Sequence, residues 1–216
     1  MKVEIFPEQA MGSNVYQLHF GGNTLLIDAG CPISSFRLNK KNVCGVLCTH
    51  GHYDHILHAD AIVENFHTLI YAHEKEVEVF TSPEKNVSFL FNQSLIVKAP
   101  IIEFYDNQIL TSDFFSFFNP AENEFLWKIK VIHTPGHTNG SVCYFFEDQS
   151  ENPPILFSGD TIFKGAVGRT DLGGNMNVLC DSINKISQLP EETIIYPGHG
   201  PATTLKQEKR NNPYFL

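Results

Sequence analysis

The 216-residue sequence predicts an α/β (α+β) fold in which two sheets pack together with helices outside. Three observations predict it. Apolar strand-like runs come in two batches, each followed by a helical pattern. No repeat or linker divides residues 1–216, so a single domain is expected. The composition, 42% hydrophobic against 18% charged, supplies a core of ordinary size without staples.

The first batch opens with Asn14 to Phe20, apolar or aromatic at alternate positions, and continues with an apolar run from Asn23 to Asp28. Gly21-Gly22-Asn23 between them is a hairpin signal. Val43 to Cys48 is continuously apolar and stops at Thr49-His50, as a strand buried on both faces does before a polar loop. A helix is expected over Ile56 to Glu64, a strand over Thr68 to Ala72 and a helical piece from Glu74. Segment 81–125 is the least regular and suits substrate-facing loops; its aromatics Phe114, Phe115, Phe117 and Phe118 read as core residues. The second batch holds strands at Trp127 to Thr134, Ser141 to Phe146 and Ile155 to Ser158. A helix over Asn177 to Leu189 and a strand over Thr193 to Tyr196 close it.

Charge and thiols exclude several function classes. Lys plus Arg is 15 against 24 Asp plus Glu, and that acidic balance repels a phosphate backbone, so no nucleic-acid partner is expected. Cys31, Cys44, Cys48, Cys143 and Cys180 form no disulfide framework and read as reduced, Cys44 and Cys48 as core filler. No stretch approaches the length of a membrane span and the N-terminus lacks a signal-peptide pattern, which points to a cytoplasmic protein without a membrane partner.

The chemistry is concentrated in Thr49-His50-Gly51-His52-Tyr53-Asp54-His55, directly after an apolar strand. In an extended loop His50 and His52 project the same way and can grip one ion, while Asp54 and His55 turn toward a second position. Three further segments share one design, a strand followed by a turn exposing a single ligand: Thr134-Pro135-Gly136-His137, Phe157-Ser158-Gly159-Asp160 and Tyr196-Pro197-Gly198-His199. Five histidines and two aspartates suffice for two ions with three ligands each and one shared carboxylate. Imidazole and carboxylate without thiolate suit zinc, iron or manganese and leave positions open for water, as a catalytic site requires. His19 and His133 belong to expected strands; His58, His67 and His73 are expected on solvated or helical faces.

These residues resemble the metallo-β-lactamase superfamily, whose His-x-His-x-Asp-His signature reads here as His50, His52, Asp54 and His55, followed in order by His137, Asp160 and His199. The resemblance implies a four-layer αββα sandwich with metals at one sheet edge. Gly159-Asp160-Thr161-Ile162-Phe163, Gly168-Arg169-Thr170-Asp171-Leu172, Tyr196-Pro197-Gly198-His199-Gly200-Pro201 and Asn212-Pro213-Tyr214 are similar to single-domain glyoxalase II-like hydrolases. By that resemblance His50, His52 and His137 hold the first metal and Asp54, His55 and His199 the second, with Asp160 bridging. Asp28 resembles the carboxylate that orients a ligand histidine, while Arg169 and Asp171 either touch substrate or brace their loop.

The implied activity is hydrolysis of a small-molecule thioester of the hydroxyacylglutathione type. Two divalent ions, zinc in the first instance and iron or manganese otherwise, lower the pKa of a bridging water toward about 7 and supply hydroxide. Asp54 is the expected catalytic group, managing the proton. Only 17 residues follow His199, whereas two-domain glyoxalase II enzymes add a helical glutathione-binding domain, so other thioesters, esters and lactones stay open. A persulfide dioxygenase with one iron shares the ligand pattern and is the competing reading. β-Lactam hydrolysis is disfavoured, and the sequence leaves oligomeric state open.

Overall fold

The computed structural model describes residues 2–8, 10–20, 22–36, 43–115, 128–147 and 152–215. Phe117, Phe118, Trp127 and Gly21 lie outside them. Strands β1 (Lys2–Pro7), β2 (Asn14–Phe20), β3 (Asn23–Ile27), β4 (Val43–Leu47), β5 (Ile70–His73) and β6 (Ile101–Phe104) form the first sheet in that order. The first three are antiparallel, and β3 through β6 run parallel. β7 (Ile109–Leu110), β8 (Lys128–His133), β9 (Val142–Glu147), β10 (Ile155–Gly159), β13 (Ile194–Pro197) and β14 (Thr203–Thr204) form the second sheet, mixed through the parallel pairing of β10 with β13. β11 (Ile162–Phe163) and β12 (Ala166–Val167) make a small ribbon.

Three apolar clusters fill the three spaces between four layers. The central one joins inner faces of both sheets, with Tyr16, Leu25, Ile27 and Leu47 against Val131, Tyr144 and Phe157. The second lies between the first sheet, through Val15, Leu26, Val46 and Ile70, and helices α1 (Tyr53–Ile56), α2 (Ala59–Phe66) and α3 (Val77–Phe80). The third sets Cys143, Phe145, Leu156 and Ile195 against α4 (Met176–Ile186) and α5 (Leu205–Asn211). This is the expected αββα sandwich. Central strands read as unbroken apolar runs because successive residues enter different clusters: Leu25 and Ile27 face the other sheet, Leu26 the helices.

Several expectations change in detail. The helix foreseen over Ile56 to Glu64 is two helices, α1 and α2, interrupted where the His58 N–H bonds the Ala29 carbonyl. The piece from Glu74 begins as a 3₁₀ turn and becomes α3. Segment 81–125 contributes β6 and β7, and its Phe115 is buried in the central core with Phe114 packed on it. His73, expected on a solvated or helical face, ends β5 fully enclosed, its ring stacked 4.4 Å from that of His133. All five cysteines are free thiols. Among the described residues no helix is long and apolar enough to cross a membrane.

Candidate metal centre

The chemically distinctive residues follow the C-terminal ends of β3, β4, β8, β10 and β13, so both sheets deliver them to one edge. The sheets are bolted together there. The Tyr16 hydroxyl and Asn14 Nδ2 donate to the Pro197 carbonyl, Asn14 N–H donates to that of Gly198, and the Tyr144 hydroxyl donates to that of Cys48.

His50, His52 and His137 place ring nitrogens together: His52 Nδ1 lies 2.8 Å and His50 Nε2 3.3 Å from His137 Nε2. Asp54, His55 and His199 form a second triad, with His199 Nε2 3.1 Å from Asp54 Oδ2 and 3.4 Å from His55 Nε2. Asp160 stands between them, Oδ1 3.3 Å from His55 Nε2 and Oδ2 3.4 Å from His137 Nε2. The split follows from backbone. The chain is extended through His52 (φ −65°, ψ 149°), which caps α1, and Asp54 and His55 lie on that helix and are carried round toward His199.

Proton placement around the rings is set by their outer partners. His137 Nδ1 lies 2.7 Å from the Arg169 carbonyl, which only accepts, so that nitrogen carries the hydrogen. His55 Nδ1 likewise faces the Asp28 carboxylate at 2.8 Å. The Thr49 hydroxyl gives its one proton to Asp28, leaving its oxygen to accept from His50 Nδ1 at 3.1 Å. Three Nε2 atoms thus turn lone pairs inward when neutral.

Burial, with His55 next, holds His50 well below the usual imidazole range, and burial followed by His137 brings His52 down to about 3. Burial also acts downward on His55, but Asp54, Asp160 and Asp28 outweigh it and hold this ring well above its ordinary value. His199 is raised too, burial being overcome by its bond to Asp54 and the nearness of Asp160. Burial pushes Asp160 and Asp54 upward, yet His55 and its neighbours hold both low, Asp160 far below the carboxylate range.

A divalent cation fits this donor set. Asp160 Oδ1 is buried without a hydrogen-bond partner, an expensive state unless a cation meets it. Ligand atoms around a tetrahedral ion with bonds of about 2.0–2.1 Å stand roughly 3.3–3.4 Å apart, close to most of the separations here.

Asp28, in left-handed backbone (φ 64°) after β3, touches both Thr49 and His55. Arg169 and Asp171 pair with each other through exposed side chains, and only the Arg169 carbonyl reaches the site. Two residues went unrecognised in the sequence. Thr49 was legible as the residue before His50. Glu76 carried no local signal, because its partners Gly51, Thr138 and Gly140 are distant in the chain.

Comparison with known proteins agrees with the geometry. The profile of the metallo-beta-lactamase superfamily matches residues 9–199. A probable metallo-hydrolase of Streptococcus pyogenes is 34% identical, over 100% of this chain and 90% of its own. A hydroxyacylglutathione hydrolase, GloC, of Haemophilus influenzae is 32% identical over 100% of this chain and 98% of its own. Among solved structures, the BLEG-1 B3 metallo-beta-lactamase superposes with a TM-score of 0.83 at 33% identity over the full length of both chains. TTHA1623, in a di-iron-bound form, gives 0.78 at 27% identity over 98% of this chain and 99% of that one. The geometry gathers histidines and carboxylates that could hold metal ions at the strand ends, and the chain belongs to the metallo-beta-lactamase superfamily.

Proposed function

We propose that the protein is a two-metal hydrolase cleaving a small-molecule thioester of the hydroxyacylglutathione type. The observation that carries this reading is the convergence of seven side chains into two triads with the Asp160 carboxylate between them. His50, His52 and His137 would hold one ion and Asp54, His55 and His199 the other. Bound there, two divalent cations, zinc in the first instance, would supply Lewis acidity and hydroxide at neutral pH. The chain's own residues do the rest. Asp28, Thr49 and the Arg169 carbonyl keep three imidazoles aimed inward, and Asp160 places negative charge between the triads. Asp54, its side chain 17% exposed, accepts the proton given up by attacking water. A thiolate leaves with little acid help, since a thiol ionises near about 8.5. The likeness to the GloC hydrolase supports the substrate class.

A second reading, β-lactam hydrolysis, is favoured by the likeness to BLEG-1. One sample decides: metal content, S-lactoylglutathione cleavage, cephalosporin opening and oxygen uptake on glutathione persulfide are measured together. Two metals per chain, thioester cleavage without oxygen uptake, and a loss of roughly 100-fold or more in Asp160→Ala are expected. One iron with oxygen consumption would overturn the reading in favour of a dioxygenase, and faster lactam than thioester turnover in favour of a lactamase.

A further inference from the structure

Outside the two triads, the chain buries another carboxylate against the loops that carry the first. Glu76 is 1% exposed, and its two oxygens serve different loops. Oε1 accepts from the N–H of Gly51, the residue between His50 and His52, at 2.8 Å. Oε2 accepts from the Gly140 N–H at 2.9 Å and the Thr138 hydroxyl at 3.0 Å, both in the loop that follows His137. All three are neutral donors. A buried carboxylate is costly to ionise without a cation, and burial pushes this one up to about 7 despite those bonds. The fit is close on the Gly140 side: a Cβ there would lie 2.5 Å from Oε2 and 2.6 Å from the Glu76 nitrogen.

We propose that Glu76 is a positioning residue of the first triad, its carboxylate clasping the His50-Gly51-His52 turn to the His137–Gly140 loop at the spacing where the three ring nitrogens meet. This rests on the two-metal reading above. The clasp needs an acceptor at each oxygen, because one loop hangs on each. A glutamine keeps one acceptor and presents an NH₂ group to the other loop; the Thr138 hydroxyl can turn to accept from it, but the Gly140 N–H cannot. Asp54, His55 and His199 lie on α1 and the turn after β13, to which none of Glu76's three hydrogen bonds runs.

Zinc affinities of both sites are to be measured by chelator competition on the wild-type chain, Glu76→Gln and Thr138→Val, with visible spectra of the cobalt-substituted proteins. Which site has changed is read in the His199→Ala background, where only the first triad is complete. In Glu76→Gln the first site should weaken about 10- to 100-fold with altered cobalt bands, while the second stays within about twofold. Thr138→Val, removing one of three donors, should weaken the same site several-fold. Unchanged affinity at both sites, or equal loosening of both, overturns the proposal. If Glu76→Gln does not fold, Thr138→Val decides: loosening confined to the first site supports the clasp and unchanged affinities overturn it. A wild-type chain that binds no zinc overturns the two-metal reading and this one with it, whereas a variant indistinguishable from a zinc-loaded wild type removes only the role of Glu76.

Discussion

Asp28 governs two imidazoles from one backbone position. Its carboxylate takes the Thr49 N–H at 2.7 Å, the Thr49 hydroxyl and His55 Nδ1. His55 is oriented directly; His50 is oriented through the hydroxyl, whose single proton is already committed to Asp28. Left-handed backbone at this residue suits Asp and Asn about equally, so Asp28→Asn preserves the turn while replacing an accepting oxygen with a donor. We expect metal affinity to fall by about 10- to 100-fold, measured by zinc titration, with the fold intact by circular dichroism. Wild-type affinity in this variant would mean that the rings are held by packing alone.

At the scale of elements, the placing of each site residue depends on how its strand ends. β4 runs straight into the extended His50–His52 turn, and α1 then diverts Asp54 and His55 to the second triad. β13 ends in a turn with no space to spare: a Cβ on Gly198 would lie 2.1 Å from Asp160 Oδ1 and 2.9 Å from the His55 ring. Gly198→Ala must therefore displace the Asp160 carboxylate. Activity should fall by about two orders of magnitude while the core, remote from this turn, keeps its near-ultraviolet signature; activity within a factor of a few would show that Asp160 has freedom to move. The elements that escaped the sequence, β1, β6, β7, β11, β12, β14 and α5, are short or lie at sheet edges and chain ends. β6 illustrates the reason, with Ile102 and Glu103 exposed beside buried Phe104, so no apolar run announces it.

For the whole molecule, the two sheets meet in the site. His50, His52, Asp54 and His55 come from the first sheet's side, and His137, Asp160 and His199 from the second's. Ions held between them, as proposed above, would stabilise the sandwich as well as serve chemistry. At free metal about 100-fold above its Kd, each site adds about 2.7 kcal/mol, worth about 5–10 °C in melting temperature for a chain of this size. Chelation should lower the melting temperature by at least that amount and abolish activity, and zinc should restore both. A melting curve indifferent to chelator would show that the hydrogen bonds from Asn14, Tyr16 and Tyr144 alone join the sheets.

The converging histidines and carboxylates were legible in the sequence because four are dense in one motif and each of the others follows an apolar strand across a Gly turn, a pattern that needs only neighbours in the chain. The layered architecture was legible for the same reason, since central strands buried on both faces are apolar throughout. Packing alone decided that Leu57 and His58 break a helix, that His73 stacks on His133 in the interior, and that the Arg169 carbonyl rather than its side chain serves His137. It also decided that Glu76 joins two loops more than sixty residues apart. Those pairings depend on which strand ends the fold brings together, and local composition holds no record of a partner that only the closed sandwich brings within hydrogen-bonding distance.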